Sequence, residues 1–308
     1  MQNRHTLAKR VRQHWQLYVF LILPVVWVLI FKYYPMIGAQ IAFKDFNIAK
    51  GVWDSEWVGL YHFKKFLNAY QFKRVIKNTI VLSVYSILAA FPFPILFALG
   101  VNVMRGKRSK KLVQTLTYMP HFISTVVLVG MTMQLFHPTV GVYGAVMKAL
   151  TGQTPRDLFS NVNAFPHLYV WSGVWQSFGY NSIIYLAALT SVSEELHEAA
   201  QIDGASRFQR VMHVDIPAIV PTIIIMLILR MGHVMSLGFE KIYLMQNTLN
   251  LRVSEVISTF VYKQGIGSGA SNDYSYATAI GLFNSLINLA LIVCVNAVSR
   301  RVSDTSLW

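Results

Sequence analysis

EAAQIDGASRFQRVMHVDIP, residues Glu198–Pro217, decides how the rest of the chain is read, because it is a long polar interval set between stretches apolar enough to cross a bilayer. Ser191 followed three residues later by Glu194 has the spacing of a capping box. It predicts a short helix through Leu196, Ala199 and Ala200, with Gly204 as a left-handed stop. Ser206 followed by Gln209 repeats the signature and predicts a second short helix carrying Phe208 and Val211, before Asp215 and Pro217 open the next apolar run. The interval reads as helix, turn, helix. Ala199 and Ala200 let a partner surface approach the backbone, while Glu198, Asp203, Arg207 and Arg210 offer charges to pair with it. An ordinary amphipathic loop between two membrane helices is the plainer alternative.

Outward from this loop the chain is mostly apolar. Hydrophobic side chains make up 54% of its 308 residues and charged ones only 13%, which excludes an ordinary soluble domain and points to the membrane class. The formal charge of +14 does not argue for nucleic acid, because the basic residues gather beside apolar runs, where topology and anionic lipid account for them. The single cysteine, Cys294, lies inside an apolar run, so neither a disulfide framework within the chain nor a cysteine-rich metal site is available.

Read in order, residues 1–14 form a basic tail with Arg4, Lys9, Arg10 and Arg12, placed in the cytoplasm by the positive-inside rule. Residues 15–77 hold the first span, about Trp15 to Ile37, and an outer loop. That span is too long for a signal h-region and has no small-residue cleavage site. Residues 78–300 hold five further spans: about Asn78–Met104, kinked at Pro92 and Pro94, then Leu112–Phe136, His167–Thr190, Ile216–Leu237 and Tyr276–Val298. Residues 301–308 form a cytoplasmic tail. RGKRSKK, Arg105–Lys111, carries five basic residues in seven positions and fixes its turn inside; the loop at 191–215 then also falls inside. The expectation is an all-α integral membrane protein with six transmembrane helices and both termini in the cytoplasm.

The polar residues placed within this apolar frame are the candidates for function. Arg230 and His233 near the end of the fifth span, and Asn284 and Asn288 one turn apart in the sixth, are costly in lipid unless they face protein, water or a ligand. The asparagines serve either as interhelical glue or as hydrogen-bond partners for a ligand. Arg230 either meets an anionic substrate or pairs with Glu240 near the outer end, and the sequence slightly favours the pair. Trp171, Trp175, Phe178 and Tyr180 cluster with Gln176 and Asn181 at the start of the fourth span. Interface belting explains the aromatics as well as cavity lining does.

No catalytic or metal-ligating spacing occurs, so an enzyme is not expected. A P-loop nearly fits at Gly100 and Gly106, but five residues separate them instead of four and Arg108 stands where Ser or Thr is required.

Glu198-Ala199-Ala200, then Gly204, then Ile216-Pro217, resembles the EAA signature of permeases of importer-type ABC transporters. The likeness extends to sugar permeases, especially the branch handling oligosaccharides and polysaccharide fragments. It includes WVGLYHF at Trp57–Phe63, KNT at Lys77–Thr79, FEKIYLMQN at Phe239–Asn247, YSYATAIGLFNS at Tyr274–Ser285 and the closing SLW.

The resemblance implies a type I importer permease fold in a bacterial plasma (inner) membrane. It also implies ATPase coupling through Glu198, Ala199, Ala200, Asp203, Gly204 and Arg207. The partners it implies are a second homologous permease, two ATP-binding cassette subunits and an extracytoplasmic solute-binding protein. This chain would carry no cofactor; ATP and Mg would bind the ATPase subunits. Substrate-pathway candidates are Trp175, Gln176, Tyr180, Asn181, Arg230, Asn284 and Asn288. The alternatives are an importer for another small polar solute and a stand-alone secondary transporter. The latter needs an intramembrane carboxylate or ion path, and no Asp or Glu falls in the six expected spans.

Overall fold

The computed structural model describes residues 13–267 and 272–302. The tail basic residues Arg4, Lys9, Arg10 and Arg12, positions 268–271 of the Gly/Ser stretch and the closing SLW lie outside the described residues. Helices dominate, and the one β-ladder among the described residues is two residues long. The described residues divide into two compact units, 13–68 with 264–267 and 272–282, and 69–263 with 283–302.

The first unit begins with α1, Trp15–Val28. It continues through a π-helical turn at Leu29–Tyr33, the helical turn Tyr34–Met36 and a 3-10 turn at Ile37–Phe43. None of the α1 side chains is buried by the chain itself, as suits a helix whose backbone polar groups are satisfied internally and whose surface is apolar. Strands β1, Lys44–Asp45, and β2, Glu56–Trp57, then pair antiparallel, with Lys44 opposite Trp57. The buried Lys44 ammonium is held by the carbonyls of Val52 at 2.8 Å and Trp53 at 3.0 Å, which offset its desolvation. Helix α2, Tyr61–Leu67, carries the buried His62, whose Nε2 lies 3.2 Å from the Lys44 carbonyl. Two segments far apart in sequence meet in this unit. The Phe46 amide donates to Ser275 Oγ at 2.9 Å, and Lys65 Nζ donates to Asp273 Oδ2 at 2.7 Å.

The second unit opens with α3, Phe72–Ala90, and α4, Pro92–Val103, which interrupt each other at Phe91 beside the expected prolines. Next come α5, Lys107–Tyr118, the 3-10 turn Met119–Phe122, and α6, Thr125–Leu135. The expected span Leu112–Phe136 is bent, because the helical run Lys107–Phe122 and α6 meet at 100°. Pro120 sits in the 3-10 turn, Ile123 is extended, and Ser124 restarts the helix by accepting the Val127 amide, so the chain turns there. Helix α7, Val142–Thr151, ends at Gly152 in the left-handed region.

Helices α8, Phe165–Asn181, and α9, Ile183–Thr190, cover the expected fourth span but are separated at Ser182, whose hydroxyl and amide both turn to the Gly179 carbonyl. At Gly179 an added Cβ would lie 2.2 Å from the Thr117 carbonyl, so α8 and α5 approach as closely as small residues allow.

After the polar loop, described below, α12, Ile216–Met231, leads to α13, Phe239–Met245, α14, Leu251–Ser254, and α15, Ile257–Tyr262. The long α16, Tyr274–Val302, has residues 274–282 in the first unit and the remainder in the second. One core of this unit gathers Leu82, Phe165, Tyr169, Val174, Ile242 and Val256; another gathers Ala98, Val101, Tyr185, Leu189 and Ile219.

Among the described residues four helical runs are long and apolar enough to cross a membrane: Trp15–Phe43, Phe72–Val103, Arg207–Met231 and Tyr274–Arg300. The bent pair makes five if counted as one span. The expected count of six included His167–Thr190, which the break at Ser182 divides into two shorter pieces.

Candidate docking loop and polar cavities

The loop that opened the reading folds as two helices with closed ends. Helix α10 is Glu194–Ile202, and its cap is Ser193, two residues later than expected. Ser191 is still engaged with the end of α9, its amide and hydroxyl both donating to the Ala188 carbonyl, whereas the extended Ser193 accepts the Glu195 amide at 3.2 Å. Glu194 and Glu195 then sit in the first turn, where carboxylates complement the helix dipole.

At the other end Gly204 has φ +78°. Its amide donates to the Gln201 carbonyl at 3.0 Å, and the Ala205 amide donates to that of Ala200 at 2.9 Å. This pair of bonds is a Schellman closure, in which glycine supplies the left-handed residue without a side-chain clash. The second helix, α11, Arg207–Arg210, has the expected capping box: the Gln209 amide donates to Ser206 Oγ at 3.3 Å, and the Ser206 amide to Gln209 Oε1 at 2.7 Å.

The expectation that α11 stops before the apolar run is corrected. The chain remains helical from Arg207 to Met231 through a π-helical turn at Val211–Asp215, where the Ile216 amide reaches back to the Val211 carbonyl immediately before Pro217. Glu198, Ala199, Asp203, Gly204 and Arg207 are all exposed and Ala200 is partly so. Beside them Ile202 and Phe208 are exposed to 86% and 73%, an apolar pair among charges that the chain leaves uncovered. A cavity of about 600 Å³ lies under the loop, with Arg105, Glu194, Glu198, Arg207 and Arg210 on its walls.

Sequence reasoning passed over the buried carboxylate at the base of this loop. Asp215 is 2% exposed; His197 Nε2 of α10 lies 3.3 Å from its Oδ1, and Asn102 Nδ2 of α4 donates to the same oxygen at 3.2 Å. An aspartate directly before Ile-Pro at the start of an apolar run was the available signal.

The polar residues expected in the pathway are not brought to one place. Arg230, in the last turn of α12, lines a cavity of about 350 Å³ with His233, Ser83, Ser86 and Val234. Its expected pairing with Glu240 is corrected: among the described residues Arg230 forms no ion pair, and Glu240 lies on the separate helix α13. The expected fifth span ran to Leu237, but the helix ends at Met231, so His233 and Met235 lie beyond it.

Asn288 is occupied, its Oδ1 accepting the Met235 amide at 3.0 Å and its Nδ2 donating to Ser236 Oγ at 2.8 Å. Asn284 differs: its buried Oδ1 has no hydrogen-bond partner among the described residues. Gln176 donates to the Ile123 carbonyl at 2.8 Å, bracing α8 against the bend before α6. Tyr180 stacks on His121 with centroids 3.8 Å apart, and Asn181 is the last residue of α8. Trp175 lines a separate, largely apolar cavity of about 800 Å³ with Trp171, Leu128, Met131 and Leu135. Outside the spans, Lys241 Nζ donates to the Tyr169 carbonyl at 2.8 Å, and burial pushes its amine down to about 8.

Residues 90–304 match the family described as the binding-protein-dependent transport system inner membrane component. The chain is 41% identical over 302 residues to Protein LplB of Bacillus subtilis (strain 168), covering 98% of this chain and 93% of that one. It is 36% identical over 307 residues to the polygalacturonan/rhamnogalacturonan transport system permease protein YteP of the same organism, covering 100% and 94%. Among solved structures it is similar to a chain of a bacterial ABC transporter involved in the import of the acidic polysaccharide alginate. The TM-score is 0.87 and the identity 38%, with 97% of this chain and 99% of that one covered.

Proposed function

Because the chain belongs to the binding-protein-dependent transport system inner membrane components, we propose that it is one transmembrane subunit of an ATP-driven importer for oligosaccharides or polysaccharide fragments. The observation that carries the coupling part of this reading is the loop at 191–215. Its ends are closed by a Schellman turn and a capping box, yet Glu198, Ile202 and Phe208 stay exposed among the described residues. A rigid, partly apolar projection of this kind suits insertion into a cleft on a separate ATPase subunit. In the proposed assembly a second permease completes the pathway, two ATPase subunits take the loops, and a solute-binding protein delivers the sugar from outside.

Six crossings are proposed: the four long runs, the bent α5–α6 pair, and α8 with α9 as one span jointed at Ser182. Both termini then lie on the cytoplasmic side, the side taken by the basic Arg105–Lys111 turn, of a bacterial inner membrane. ATP binding would draw the docked loops together and bias the spans between inward-open and outward-open states. The substrate class favoured is acidic oligosaccharides. Arg230 and His233 line a cavity with Ser83 and Ser86 and no carboxylate, and the importer of similar structure is one involved in the import of the acidic polysaccharide alginate.

The test is purification of the tagged chain with its complex from bacterial membranes. A P-loop ATPase is expected to accompany it, with hydrolysis stimulated by sugar-loaded binding protein. Glu198→Lys should release the ATPase, because a lone charge left at a partly buried contact costs about 2–5 kcal/mol. Unchanged co-purification of the Glu198→Lys chain would show that the loop is not the docking element.

A further inference from the structure

We infer that His197 and Asp215 form the link that carries movement of the docking helix into the membrane spans, with Asp215 as the positioning residue; this rests on the docking reading above. Helix α10 buries none of its own residues, so it is not packed into the spans as α4, α9 and α12 are packed on one another through Ala98, Leu189 and Ile219. Among the described residues, the one polar side-chain contact from α10 to the helix entering the membrane is His197 Nε2 to Asp215 Oδ1, at 3.3 Å. The same oxygen receives Asn102 Nδ2 from α4 at 3.2 Å. One buried carboxylate thereby joins the docking helix to α12 and to the second half of the Phe72–Val103 run.

Arg210, on the adjoining α11, adds its charge to the same carboxylate. A buried carboxylate oxygen left without its partners is costly, so a shift of α10 acts on Asp215 and through it on both spans. The backbone path offers a longer route, through Asp203, the left-handed Gly204 and the π-helical turn at Val211–Asp215. The link is shorter and has no backbone joint in it.

The experiment compares the complex carrying wild-type chain, His197→Ala and His197→Gln, reconstituted with its ATPase and binding protein. His197 is a quarter exposed, so its replacement leaves the core untouched. With His197→Ala, the ATPase subunits should co-purify at the wild-type ratio. Stimulation of hydrolysis by sugar-loaded binding protein should fall about tenfold, as expected for loss of a hydrogen bond to a charged group. His197→Gln, whose amide can donate to the carboxylate, should keep most of the stimulation.

Three results overturn the proposal: full stimulation with His197→Ala, loss of the ATPase from the His197→Ala complex, or a His197→Gln complex as impaired as the alanine one. A wild-type chain that captures no ATPase would instead refute the docking reading, and this inference with it.

Discussion

Two asparagines one helical turn apart illustrate how far a single residue can be understood from its type. Their spacing placed Asn284 and Asn288 on one face, but spacing does not reveal what stands opposite. The opposing groups separate them: Asn288 is engaged by Met235 and Ser236 just past the end of α12, and the Asn284 carbonyl oxygen is buried without a hydrogen-bond partner among the described residues. Asn288→Ala removes two hydrogen bonds between α16 and the α12 end, each worth roughly 0.6–2 kcal/mol in a membrane setting. The purified complex should melt at lower temperature in detergent, and transport should fall in step with the loss of assembled complex. Asn284→Ala leaves no partner stranded and should assemble normally. If Asn288→Ala left the melting temperature unchanged while abolishing transport, its amide would belong to the sugar path and not to the helix contact.

At the scale of elements, the Ser206–Gln209 capping box and the Gly204 stop were legible because each depends on a handful of neighbouring residues. The continuity of Arg207–Met231 was not. Pro217 reads as the start of a new helix, but a π-helical turn directly before it lets the chain pass without a break. The same arrangement precedes Pro35, where the Tyr34 amide reaches back to Leu29. The break at Ser182 carries neither proline nor a turn dipeptide, so nothing local announced it.

Also illegible was the joining of α2 to the start of α16, since Lys65 and Asp273 are over two hundred residues apart. Burial pushes the Asp273 carboxyl up. The Lys65 hydrogen bond, the Tyr276 amide and the charges of Lys65 and His62 outweigh it and hold the group below the ordinary carboxylate value. A depressed acid stabilises fully above its unfolded value and loses that contribution as pH falls through the folded one. The stability gap between wild type and Asp273→Asn should therefore stay constant from roughly pH 8 to 5 and close below about 4. Thermal unfolding of the two proteins across that range measures it. A gap that opened only above pH 7 would assign the stabilisation to another group.

At the scale of the whole molecule, the membrane class followed from an apolar majority and a dense basic turn. Which helix faces meet the pathway did not, because that depends on what packs opposite each face. The proposed cycle needs a site that holds sugar in one state and releases it in the other, and Arg230 is the side chain in the spans best suited to read substrate charge. Its guanidinium makes no ion pair among the described residues and shares its cavity with His233 and two serines. A carboxylated sugar ring can take two parallel hydrogen bonds from it, whereas a neutral ring offers only weaker hydroxyl acceptors. Hydrogen bonds to charged groups contribute about 1.5–3 kcal/mol, so Arg230→Gln should reduce uptake of uronate oligosaccharides by roughly tenfold or more. Neutral oligosaccharides of equal length should lose little, and assembly with the ATPase should be unaffected. Uptake of both labelled substrates into proteoliposomes, measured side by side, decides the matter. An equal loss for acidic and neutral sugars would make Arg230 a structural cation of the α12 end, and the site that reads substrate charge would have to be sought on the second permease.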